Sequence, residues 1–217
     1  MKTKLYGFLI LLSIISVSCQ KTTFDLSNVK LGDNHKNYDL ENKNIFLKDE
    51  GDIKNVIFYD ADDNKNIIFG TIPLDSTLSS KITVFNNKIA AIQTNSSPKS
   101  SLEFIEKVIK LNGKPVHQIS DKAHVDAKVN KQIISQLKKI FPNDVAPVED
   151  EQNSFHYPYA FLWDKENYYS ILSFSIDSDG RIRNTYTSFT KEAFKKNIVY
   201  GLKFPTPSES PWYNYLK

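Results

Sequence analysis

At 217 residues with 40% apolar side chains, the chain is long enough to bury a sizeable core and too hydrophobic to be disordered. Its 28 basic and 25 acidic residues leave a net charge of only +3, without the clustered basic face that a nucleic-acid partner demands. A single cysteine excludes a disulfide within the chain, so stability must come from packing.

Lys2 and Lys4 precede an apolar run from Leu5 to about Val17, which closes in Ser18 and the lone Cys19. As a helix this run reaches about 20 Å, short of the roughly 30 Å hydrocarbon core, so it reads as a cleaved signal and not as a span. The Ser16-Val17-Ser18-Cys19 junction resembles the lipobox of bacterial lipoprotein precursors, although Ser16 stands where leucine is usual. That resemblance implies removal of residues 1–18 and lipidation of Cys19, with two or three acyl chains holding the protein to a membrane. Gln20 is not the aspartate that marks inner-membrane retention in some bacteria, so the outer membrane of the cell envelope is the expected location. Without Lys2 and Lys4 the charge falls close to neutrality.

Residues 19–43 are polar and without period, and read as a lipidated tether that donates one short strand near Phe24–Val29. From Asn44 to Asn95 the signals are those of a β-meander. Asn55–Tyr59 and Asn66–Ile72 flank the turn sequence DADDNK, and Lys81–Phe85 and Lys88–Thr94 flank Asn86-Asn87, a tight hairpin turn. Ser97-Pro98 opens a helix, with Ser100 and Glu103 spaced as a capping box, and Gly113 ends it. A short strand, Pro115–Ile119, leads to a second helix whose stripe of Val125, Val129, Ile133, Leu137 and Ile140 runs to Pro142.

The acidic stretch 143–154 is a surface loop or a boundary. Three strands follow, Tyr157–Asp164, Tyr168–Asp177 and Arg181–Phe189, and then a helix over Lys191–Tyr200 capped by Thr190. The proline-rich tail carries Trp212, Tyr213 and Tyr215 as docking residues. Strands in runs separated by helices predict an α+β fold, with antiparallel β-meanders packed against about three helices in two layers. Residues 44–217 form one domain, or two similar sheet-plus-helix halves meeting near 143–154. The Gly113-Lys114-Pro115 helix stop followed by the Trp163 strand resembles small two-layer envelope domains of the outer-membrane assembly lipoprotein and β-lactamase-inhibitor type. It implies that fold and no residue role.

Chemistry is sparse. The loop from Asp60 fails the EF-hand pattern, because the sixth and twelfth places hold Lys65 and Thr71 instead of glycine and glutamate. His35, His117, His124 and His156 lack metal-ligand spacing, and no serine sits in a nucleophile elbow, so no catalytic residue, metal or cofactor is assigned. His117 and His124 flank a strand-to-helix junction, where they could meet in space. The densest unusual feature is the strand carrying Tyr157, Tyr159, Phe161 and Trp163, which alternation puts on one face. Such a ladder stacks sugar rings or anchors a protein partner, or else fills a core; burial against a helix removes the binding reading. The leading expectation is a membrane-anchored binding module with an envelope protein or glycan partner. A periplasmic hydrolase is the alternative, as is an immunity or inhibitor protein, which calls for an acidic face the composition lacks.

Overall fold

The computed structural model describes residues 23–42, 44–61, 63–199 and 212–216. The signal, Cys19 and most of the proline-rich tail lie outside the described residues. In chain order the strands are β1 (Phe24–Asp25), β2 (Phe46–Glu50), β3 (Val56–Ala61), β4 (Ile67–Phe69), β5 (Ile72–Pro73), β6 (Lys81–Phe85) and β7 (Lys88–Thr94). Helix α1 (Ser101–Asn112) is followed by β8 (His117–His124), α2 (Ala127–Ile140), β9 (Ala146–Pro147), β10 (Ser154–Asp164), β11 (Tyr168–Ile176), β12 (Ile182–Thr190) and α3 (Lys191–Lys195). A sheet-rich fold with a largely antiparallel arrangement and three α-helices among the described residues agrees with the α+β expectation at that coarse level.

The main sheet has nine strands, in the order β2-β3-β6-β7-β12-β11-β10-β8, with β9 pairing beside β10. The first and second groups of strands join where β7 pairs with β12, from Ala91 opposite Phe189 to Thr94 opposite Tyr186. The stretch 143–154 supplies β9 against Phe155 and His156. The Asn86-Asn87 turn forms as the sequence predicts. Both residues take positive φ, 49° and 63°, a region asparagine tolerates better than most side chains.

The hairpin expected across DADDNK does not form. Strand β3 pairs with β2 and β6, while β4 leaves for a small second sheet with β1 and β5. Asn64 is the reason: its buried side chain donates to the carbonyls of Asp75 (2.8 Å) and Leu78 (2.6 Å) and accepts from Ser80 N (3.0 Å). These bonds turn the chain away from β3.

From residue 23 onward the expected tether is part of the folded body. Leu26 and Leu40 are each 1% exposed. Asp25 accepts from Ser27 N and from Gly70 N, and Gly32 N donates to Ile89 O while Ile89 N donates to Asp33 O, fastening the segment to the start of β7. Three leucines and Val29, spaced for irregular backbone, carry no helical or strand period, so the sequence predicts a tether there.

Both faces of the main sheet are covered. On one, Phe104, Ile105 and Val108 of α1 and Ile133 and Leu137 of α2 are buried with Phe155, Phe161 and Trp163. On the other, Ala193 and Phe194 of α3 pack with Tyr169 and Phe189, which adds cover beyond the two layers expected. Helix α3 is shorter than the predicted Lys191–Tyr200. Thr190 caps it, accepting from Ala193 N at 3.1 Å, but Asn197 takes a φ of 53° and the chain turns to bury Ile198 and Val199.

The end of α1 is tied to the last strands. Gly113, at φ 72°, donates its N–H to Ile109 O. Its own carbonyl accepts from Trp163 Nε1 at 2.8 Å, and the Asn112 carbonyl accepts from Lys165 Nζ at 2.8 Å. Two carbonyls that a helix C-terminus leaves open are satisfied in this way.

Candidate functional site

The aromatic ladder is core. Tyr157, Phe161 and Trp163 are 3%, 2% and 1% exposed, stacked among Phe141 and Phe174 beneath α2, and no open ring face is left for a sugar or partner. Tyr159 differs because the β8–β10 register shifts between Pro158 and Ala160; it is half-buried beside Trp212, with ring centroids 6.3 Å apart.

The histidines are not brought together. His117 and His124 sit at the two ends of β8, seven residues apart and so about 23 Å along the strand. His117 packs on Tyr215, His124 contacts Ser154 Oγ at 3.0 Å, and buried His35 bonds the Asn87 carbonyl through Nδ1. Among the described residues no group of three or more His, Cys, Asp or Glu is placed to hold a metal ion. Asp63 pairs with Lys65 at 2.8 Å, as an acidic turn would. No helix of the described residues is long and apolar enough to cross a membrane.

What the fold does build is a cleft of about 380 Å³ over the β7–β12 seam, between the segment Leu26–Leu31 and the C-terminal turn of α1. Its floor is set by strand register. Across one row of the sheet run Tyr59, Ile82, Ile92, Ser188, Ser170 and Trp163. Two serines in the middle of a row of large side chains leave a depression. Leu26, Val29, Phe69 and Ile92 give it apolar walls, and Leu111, 58% exposed, stands on its lip.

The polar groups beneath form a directed chain. Asn112 Nδ2 donates to Val108 O (2.9 Å) and to Tyr186 Oη (3.4 Å), and Tyr186 Oη donates to Ser170 Oγ (3.4 Å). Ser170 and Ser188 share a 2.8 Å bond, and Ser188 Oγ donates to Tyr169 O at 3.3 Å. The donors are thus spent on protein acceptors, which stabilises a buried network that would otherwise be costly. A mostly apolar concavity of this volume with a few polar groups is the usual form of a small-molecule site.

No sequence pattern announces this cleft. Ser170 and Ser188 fall inside predicted strands with no sign that they meet, and the segment that makes one wall belongs to the expected tether. The one signal available was composition within the strand: serine facing serine at a position flanked by Ile92 and Trp163.

A second polar cluster secures the same N-terminal segment. Tyr59, fully buried, donates its hydroxyl to Glu41 Oε1 at 2.7 Å. Burial and the facing carboxylate raise the Tyr59 phenol well above its ordinary value near 10, while the same hydrogen bond holds the Glu41 carboxyl below its usual range. Burial, helped by the Asp121 charge, pushes Tyr157 up to about 12. A phenol raised in the folded state contributes stability that is complete below its unfolded value and lost as pH rises toward the folded one. Urea midpoints are therefore expected to fall between about pH 10 and 12, and Tyr59→Phe should make that fall shallower. A midpoint flat across this window would contradict the burial of these phenols.

The chain was compared with known proteins in three ways, and no family model, no curated protein and no solved structure matches it.

Proposed function

We propose that the chain is a lipid-anchored cell-envelope protein that acts by binding, and that its ligand occupies the cleft over the β7–β12 seam. The anchor rests on the sequence alone: Lys2 and Lys4, the apolar run, and the only cysteine at a lipobox-like junction. The observation that carries the binding reading is the cleft itself, about 380 Å³ with walls of Leu26, Val29, Phe69 and Ile92. Burying a ligand there removes apolar surface from water at roughly 25 cal/mol per Å² on each side.

The experiment uses the protein isolated from the envelope in mild detergent and a headless twelve-carbon alkyl diazirine. After irradiation and digestion, cross-links are expected to concentrate on peptides holding residues 26–31 and 111–112. Labelling spread evenly over the surface, with no excess at those peptides, would contradict the cleft as a binding site. Labelling with a fatty-acid analogue in growing cells tests the anchor separately: a Cys19→Ala variant should lose covalent label, and label that persists would refute lipidation of Cys19.

A further inference from the structure

We infer that the cleft ligand is a free fatty acid, with its tail along Leu26, Phe69 and Ile92 and its carboxylate at Lys30. This rests on the reading of the cleft as a binding site and names the chemistry it selects. Volume sets the tail. At roughly 30 Å³ for a water-sized or methylene-sized unit, a cleft of 380 Å³ takes about a dozen such units, one acyl chain and not two.

Charge sets the head. No acidic residue lines the cleft among the described residues, whereas Lys30 does, exposed and in no ion pair among them. Lys107 lies outside that lining, with its ammonium group over Gly70. Asp25, close behind, has its carboxylate committed to Ser27 N, Ser27 Oγ, Asn28 Nδ2 and Gly70 N.

Orientation follows from the floor. Both N–H groups of Asn112 and the Tyr186 hydroxyl donate to protein acceptors, and the two serine hydroxyls bond each other and the Tyr169 carbonyl. A carboxylate, which needs donors, finds none free among Asn112, Tyr186, Ser170 and Ser188, and finds an ammonium group at the mouth of the cleft. The tail therefore enters first and the head stays at the rim.

The test compares three photoreactive probes of equal chain length on the isolated protein at pH 8: the acid, its methyl ester and the headless hydrocarbon. The acid should half-saturate labelling of residues 26–31 at a concentration about fivefold lower than the ester, as a rim-exposed ion pair supplies. Lys30→Glu, a change at an exposed position, should abolish the preference of acid over ester. Equal labelling by acid and ester overturns the fatty-acid inference while the cleft reading stands. A preference that survives in Lys30→Glu overturns the assignment of the head to Lys30. Failure of all three probes to label the cleft overturns both.

Discussion

Replacing Trp163 with alanine is expected to destabilise the fold by about 3–5 kcal/mol, the usual cost of deleting a large buried aromatic. The position joins three parts of the structure. Its ring is 1% exposed and packs beside Phe161, its indole N–H donates to the Gly113 carbonyl at the end of α1, and its strand carries the centre of the second half of the sheet. Because domains are stable by only about 5–15 kcal/mol, the alanine variant should sit close to the unfolding threshold. Trp163→Phe separates the two contributions. It keeps most of the ring volume and loses the hydrogen bond, so its cost should be nearer 1–2 kcal/mol, part of it from leaving the Gly113 carbonyl unpaired. Urea unfolding followed by far-ultraviolet circular dichroism reads both variants. A loss below about 1 kcal/mol for the alanine variant would mean that α1 is not fastened through this residue.

The second large effect is on binding. Leu111 stands on the lip of the cleft and is 58% exposed, so Leu111→Asp should change folding stability by no more than about 0.5 kcal/mol. The same change removes apolar surface that a ligand covers and puts a carboxylate on a rim that has none. Hydrocarbon and fatty-acid labelling of residues 26–31 should both weaken about tenfold, equivalent to about 1.4 kcal/mol. Ile92→Trp, which fills the floor from within, should suppress labelling further. It carries its own overpacking cost of about 1–3 kcal/mol, so its stability must be measured alongside. Undiminished labelling in Leu111→Asp, with the fold intact, would place the ligand somewhere else.

Much of the architecture was legible where period and turn chemistry coincide. Strands β10, β11 and β12 are legible to within a few residues, because Ser178-Asp179-Gly180 and Asp164–Asn167 bound alternating apolar runs, whereas β8 runs five residues past the expected Ile119. Helices α1 and α2 followed from their apolar stripes and from Gly113 and Pro142. Three features were not legible, each for a tertiary reason. The departure of β4 from the meander depends on Asn64 reaching carbonyls eleven and fourteen residues away. Docking of residues 23–42 depends on side chains such as Asp25 and Glu41, whose partners Gly70 and Tyr59 no local pattern announces. The aromatic strand announced itself as aromatic, but whether its rings face a helix or the solvent is a question of layer order that alternation leaves open. The site was missed for the same reason. Its walls come from residues 26–31, Phe69, Ile92 and the end of α1, which meet only when β7 pairs with β12.

A crystal structure of the protein grown with dodecanoic acid locates the ligand. Continuous density for one acyl chain is expected against Leu26, Phe69 and Ile92, ending with a carboxylate beside Lys30. A structure in which the acid is bound elsewhere on the surface and the cleft over the β7–β12 seam holds only solvent would contradict that placement.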